Sequence, residues 1–291
     1  MVESERADPG NGRLRAGAVM GKFSWGYVSD PGARRDHNED YVAARVPTTP
    51  DDAWDRPPIF ALADGMGGHA AGEVASRTAV EAALESFATT DPIALPQMLR
   101  RAARAANLAV TDASSGQGRQ GMGTTLLLAG LSGREAVLAH VGDSRGYLVR
   151  RDVCTQLTDD HSRVGEMLRL RMISTEQAAN HPARSQLTRS LGSDPLVQID
   201  LVRQPFEARD VLLLCSDGLW DVIAREEIAE AAGALNTGSR ATALEVADRL
   251  AAASIERGAT DNVSVLVVHL TSELPIPPVA RRRLRLRRGT P

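Results

Sequence analysis

Eight short apolar runs, each closed off by Gly, Asp or Pro, set the strongest limit on what this chain can become. They are FSWGYVS, PIFALAD, GTTLLLAGL, EAVLAHVGD, GYLVRR, LVQIDLVRQ, DVLLLCSD and NVSVLVVHL. Each has the length, the β-branched or leucine content and the bounded ends of a strand. Helical spacing appears in three longer stretches, AAGEVASRTAVEAALESFA, PQMLRRAARAANLAVTDA and ATALEVADRLAAASIERG, with Gly258 as a natural stop for the last. The helices fall between groups of strands without strict β-α alternation, and tight turns join several strand pairs. That order predicts antiparallel sheets covered by helices, an α+β layered domain, over a doubly wound parallel sheet.

The runs lie in one continuous region, residues 21–272, with no internal repeat and no second linker. Residues 1–20 are rich in Gly, Arg and acids and show no periodicity, so they are expected to be disordered. PIPP at 275–278 stops regular structure and opens a Pro/Arg-rich tail, 273–291. Residues 156–192 carry short helical pieces and a capping box from Ser174 to Gln177, and read as a helical insertion over the sheet edge.

Charge excludes some functions. The chain of 291 residues has a net charge of −3, but six of its 34 basic residues are arginines between Arg281 and Arg288. With those set aside, 28 bases face 37 acids, a balance of −9. An acidic body with 3% aromatics offers neither a phosphate-attracting surface nor base-stacking platforms, so no nucleic acid is expected. Two cysteines, Cys154 and Cys215, form no metal spacing and no disulfide framework. No apolar window is long enough to span a membrane, and no signal peptide is visible. A cytoplasmic monomer is expected.

The acids themselves are patterned. PIFALAD ends at Asp64, DVLLLCSD at Asp217 and EAVLAHVGD at Asp143; Glu39 and Asp40 precede YVAARV, and Asp261 precedes the last run. One Asp-Gly is ordinary turn chemistry. Acids at five strand ends are harder to dismiss, because gathered carboxylates repel unless protonated or neutralised by cations. Oxygen donors without thiolates or paired histidines suit Mg²⁺ or Mn²⁺ over Zn²⁺. Gly65 leaves room for its own carbonyl to approach such an ion.

In order along the chain, RDHNED (35–40), DGMGG (64–68), GTT (123–125), GDSRGYL (142–148), LTDDHS (157–162), SDGLWD (216–221) and TDNVSV (260–265) resemble the motifs of the metal-dependent type 2C protein serine/threonine phosphatases, in their bacterial form. The resemblance covers about 230 residues. It implies a four-layer α-β-β-α sandwich, two central antiparallel sheets flanked by helices, with a two-metal centre at one end. Carried over by position, Asp64 bridges both ions and Gly65 adds its carbonyl. Asp217 and Asp261 complete one ion's ligands. Glu39 serves the second, mostly through water. Asp40 holds the coordinated water, and Arg35 clamps the phosphate. Asp143, with Asp217 and Asp221, resembles a weaker third-ion site, and 156–192 falls where bacterial members carry a flap. The implied reaction is hydrolysis of phosphoserine and phosphothreonine in proteins by attack of a metal-bridging water. It would oppose bacterial Ser/Thr kinases in signalling, with Mn²⁺ or Mg²⁺ as cofactor and phosphorylated proteins, kinases among them, as partners. Eukaryotic members have a histidine, a candidate general acid, where this chain has Met66; His69 and His161 are the nearby substitutes.

Two rival readings stand beside this one. GDSRG matches G-x-S-x-G, which would make Ser144 the nucleophile of a serine hydrolase with His269 downstream; the elbow requires a helix after the turn, and here a strand-like run follows. A catalytically inactive phosphatase-like binding module would show degenerate acids, and the main acids are all present. The arginine tail, 281–288, reads as a solvated segment, with nucleic acid, acidic lipid or an acidic partner as the alternatives.

Overall fold

The computed structural model describes residues 2–7, 13–20, 23–46, 56–67, 70–116, 120–236 and 241–272. The tail from 273 onward, His69 and Trp54 lie outside the described residues. Two antiparallel sheets carry the described strands. In the first, the order is β1 (Val2–Ala7), β2 (Leu14–Met20), β3 (Phe23–Asp30), β13 (Val263–Leu270), β12 (Val211–Cys215), β9 (Arg145–Arg150) and β10 (Val153–Gln156). In the second it is β11 (Asp200–Pro205), β8 (Glu135–Val141), β7 (Leu126–Ser132), β5 (Ile59–Met66) and β4 (Asp40–Arg45), with the short β6 (Gly123–Thr124) paired to the end of β5.

Side-chain alternation explains why the strand sequences are apolar throughout. In β12, Leu212 and Leu214 face the second sheet while Val211, Leu213 and Cys215 face helices. In β13, Leu266, Val268 and Leu270 face inward and Val263, Val265 and Val267 outward. In β5, Phe60 and Leu62 face inward and Ile59, Ala61 and Ala63 outward. Both faces of both sheets are therefore buried, and period-2 patterning vanishes into continuous hydrophobic runs. α1 (Ala70–Thr89) and α2 (Leu95–Ser114) cover the second sheet. α6 (Arg225–Gly233) and α7 (Ala243–Glu256) cover the first. Three core clusters between four layers make the α-β-β-α sandwich that the resemblance implies.

Local signals hold where they were legible. α7 starts at a capping box between Thr242 and Glu245, and Gly258, at φ +86°, follows its end. The insertion forms α3 (Arg163–Arg169) and α4 (Thr175–Ala179), and the Ser174–Gln177 capping box is present. One short helix, α5 (Asp217–Trp220), follows β12 directly.

The expected disorder of residues 1–20 is corrected at 2–7 and 14–20, which form β1 and β2. β2 pairs with β3 along its whole length. Its inward residues, Ala16 and Ala18, are too small to announce a strand. Its charges are paired across the layer instead: Arg13 and Arg15 reach Asp248 on α7, each at 2.8 Å. LVQIDLVRQ also starts late, at Asp200; just before the run the Asn107 side chain donates to the carbonyls of Asp194 and Pro195.

Candidate metal centre

The strand-end acids meet at one end of the sandwich, drawn from both sheets. Asp40 begins β4 and lies opposite Asp64 in the register with β5. Asp217 and Asp261 come from the other sheet, at the end of β12 and just before β13. Asp143 sits in the turn by which the chain leaves β8 in one sheet and enters β9 in the other.

Polar side chains at or just beyond the ends of the apolar strands fasten the two sheets at this end. Ser216 donates to Asp40 Oδ2 at 2.7 Å. Ser264 donates its N–H to Ser216 Oγ at 3.0 Å. Asn262 accepts the N–H of Glu39 at 2.8 Å and donates to the carbonyls of Pro31 and His37. The Thr125 hydroxyl accepts the Asp64 N–H at 2.9 Å and shares a hydrogen bond with Ser144 Oγ, 2.7 Å away. These supports were not singled out from the sequence. Their signal was a lone hydroxyl or amide at the end of an otherwise apolar strand, beside an acid.

Close backbone approach completes the scaffold. A Cβ on Gly65 would lie 2.1 Å from the carbonyl oxygen of Gly72, so only glycine lets the end of β5 run under the start of α1. A Cβ on Gly72 would lie 2.7 Å from Cδ of Glu39, so that glycine makes the space Glu39 occupies.

The electrostatics are those of an under-neutralised cluster. Burial, then Asp40, Asp217, Asp143 and Asp261, push the Asp64 carboxyl well above the usual carboxylate range. Burial raises Asp40 to about 7 against the hydrogen bonds from Ser264 and Ser216, and Asp217 and Asp261 add to the rise. Burial and Asp217 raise Asp143 to about 7. Burial and Asp261 raise Asp217 to about 6. Glu39 is raised by burial against the pull of Arg35.

Among the described residues no three His, Cys, Asp or Glu side chains stand ready to hold one ion as they lie. Protein donors take their place: Arg35 Nη2 is 2.6 Å from Asp261 Oδ2, and Ser216 holds Asp40. Yet Asp217 Oδ1 is buried with no hydrogen-bond partner. A buried orphan carboxylate oxygen, raised acids on every side and an all-oxygen donor set fit hard divalent cations. Asp221, one turn beyond Asp217, pairs with Arg184 of the insertion, which therefore reaches the rim of the site.

The other candidates fall away. His161 is buried; its Nδ1 accepts from the Gly142 N–H at 3.1 Å and its Nε2 donates to Asp200 Oδ2 at 3.1 Å, so neither nitrogen is available as a general acid. Ser144 is fully buried and is followed by β9, so the nucleophile-elbow reading fails. His269 is at the opposite end of β13, bonded to Asn236.

A family model, Protein phosphatase 2C, matches residues 32–263. The serine/threonine phosphatase stp of Listeria innocua is 39% identical over 247 residues, 83% of this chain and 94% of that protein. The crystal structure of the Mycobacterium tuberculosis serine/threonine phosphatase PstP/Ppp superposes with a TM-score of 0.74 at 37% identity, covering 86% of this chain and 99% of that one. The catalytic domain of PstP in complex with two manganese ions superposes at 0.73 with 34% identity, over 86% and 99% of the two chains.

Proposed function

This chain belongs to the bacterial-type protein phosphatase 2C family of serine/threonine phosphatases, and on that premise we propose that its acid cluster is a centre for two Mn²⁺ or Mg²⁺ ions at which phosphoserine and phosphothreonine of proteins are hydrolysed. The observation that carries the reading is the buried, unpartnered Asp217 Oδ1 among raised carboxylates from both sheets. Divalent ions held there supply Lewis acidity, neutralising phosphoryl oxygens and acidifying water. A phosphoserine carries nearly two negative charges near neutral pH, which this acidic cluster repels unless cations intervene.

The chain's own residues bind and orient. Asp64, Asp217 and Asp261 would hold one or both ions, with Gly65 contributing its carbonyl and Glu39 acting through water. Asp143 would serve a weaker third ion, and Asp221 would join it on release from Arg184. Arg35 is a planar guanidinium on the exposed side of Asp261, suited to bidentate contact with a phosphate. Asp40 is a buried acceptor, fixed by Ser216, able to hold the proton of the attacking water. Met66 has no proton to give and His161 has none to spare, so the leaving oxygen takes its proton from water or from another group, His69 among the candidates.

The partners are phosphoproteins, and we place the enzyme opposite Ser/Thr kinases. No helix among the described residues is long and apolar enough to cross a membrane, and Cys154 and Cys215 are free thiols. The test is hydrolysis of a phosphothreonine peptide in Mn²⁺, in EDTA and after Mn²⁺ is restored. Activity lost with EDTA and regained with Mn²⁺ is expected; full turnover after exhaustive chelation would sink the reading.

A further inference from the structure

Residues 142–144 lie outside the ladders of both sheets, since β8 ends at Val141 and β9 begins at Arg145. Gly142 holds φ +112° there, and a Cβ on it would strike the Thr125 side chain at 2.5 Å. Strand pairing therefore does not set where Asp143 stands relative to Asp217, and the two carboxylates repel. Something else must hold the turn against α5.

We propose that Trp220 is a positioning residue whose indole N–H, clamped by Arg145, fixes the Asp143 turn against the helix that carries Asp217. Trp220 Nε1 donates to the Asp143 main-chain carbonyl at 3.1 Å. Trp220 lies three residues beyond Asp217 on the same helical turn, so this one bond spans the two acids' elements. Arg145 covers the indole, with Cζ 3.5 Å from the ring centroid, close range for a cation–π contact. The guanidinium is itself fixed: Nε and Nη2 grip Asp160 at 2.9 and 2.7 Å, and the side chains of Arg145 and Asp160 are 17% and 10% exposed. Asp160 stands at the base of the insertion beside His161, which exchanges two bonds with Gly142: His161 N–H to the Gly142 carbonyl at 2.8 Å, and Gly142 N–H to Nδ1. The turn is thus held from two sides, by α5 through the indole and by the insertion through Asp160 and His161. A backbone carbonyl bound by a rigid ring places the neighbouring carboxylate without using any of its own oxygens, and so leaves them free for a cation.

This inference rests on the cation-binding reading above. The test is Trp220→Phe, which keeps an aromatic ring beneath Arg145 but removes the N–H together with one of the two fused rings. Mn²⁺ binding is measured by calorimetry on wild type, Trp220→Phe and Asp143→Asn, the last identifying the binding step that uses Asp143. Trp220→Phe is expected to weaken that step about 10-fold, as for the loss of a partner that orients a ligand, and to leave the other steps within about twofold. An isotherm superimposable on wild type, or uniform weakening of every step together with a lowered melting temperature, overturns the proposal. Should Trp220→Phe fail to fold, hydrogen exchange of the Trp220 indole N–H in wild type decides: Mg²⁺ should slow it, and an unchanged rate overturns the proposal. Wild type that binds no Mn²⁺ would instead sink the cation-binding reading itself.

Discussion

Asp40 and Asp64 stand directly opposite one another across β4 and β5. Like charges at directly opposed positions oppose strand pairing, and here Asp217, Asp143 and Asp261 add to the repulsion on Asp64. The fold tolerates this pair through the Ser216 and Thr125 hydrogen bonds and by keeping protons on acids that would ordinarily be ionised.

Metal-free protein should therefore lose stability as the pH rises from about 6.5 to 8. The folded-state values of Asp40 and Asp143 are raised to about 7, so the folded state holds protons that the unfolded chain, at about 3.9, has released. That contribution is complete below the unfolded value and lost as pH passes through 7. His140, lowered to about 3 by burial, acts oppositely: its contribution is present above 6.5 and lost as pH falls. Above about 6.5 the unfolded chain releases its remaining histidine protons, so the opposing effect of His140, His161 and His269, all lowered by burial, fades. The carboxylates then dominate the slope, by up to about 1.4 kcal/mol per pH unit for each such proton. Thermal melts in EDTA across this range check the sign, and saturating Mg²⁺ should flatten the curve.

Asp64→Asn should nearly abolish both Mn²⁺ binding and turnover. In EDTA near pH 8 the same variant should melt higher than wild type, because one of the mutually repelling charges is gone. Calorimetry and melting curves on one preparation give both readouts; a lower melting temperature with intact ion affinity would contradict the assignment.

Arg35→Ala should lower kcat/KM on a phosphopeptide. A charged hydrogen-bonding contact contributes about 1.5–3 kcal/mol, which corresponds to a loss of about 10- to 150-fold. Arg35 also holds Asp261 in the metal-free state, so Mn²⁺ affinity should stay equal or rise. Kinetics like wild type would turn attention to Arg34.

The neighbours Asp143 and Ser144 should respond differently. Asp143→Asn should weaken one ion-binding step and slow turnover. Ser144→Ala leaves the buried Thr125 hydroxyl without its Ser144 partner, a stability cost of about 1–3 kcal/mol, with turnover little changed. A dead but folded Ser144→Ala would revive the hydrolase reading.

Gly72→Ala should behave like a lesion of Glu39. The new methyl would occupy the Glu39 carboxylate's place, so that side chain must move. Mn²⁺ affinity should fall while the fold persists; an unchanged isotherm would show that Glu39 is not a ligand, direct or through water.

The local features were legible from residues alone: apolar runs ending in acid and glycine, the capping box at Ser174, the stop at Gly258, and the strand after GDSRG that rules out a nucleophile elbow at Ser144, although that strand joins the other sheet and does not close a hairpin. These depend on backbone preference and side-chain period, which act within a few residues. β2 was illegible because Ala16, Gly17 and Ala18 carry almost no hydrophobic signal; its place comes from packing against the second sheet and from ion pairs to α7. The ordered motifs drew attention to the strand-end acids, but their meeting at one end of the sandwich is tertiary. Asp64 and Asp217 belong to different sheets, and they share one site only because two doubly buried sheets stack face to face and bonds such as Ser216 to Asp40, 176 residues apart in the chain, hold their ends together. No local preference encodes that meeting; it follows from burying both faces of each sheet at once.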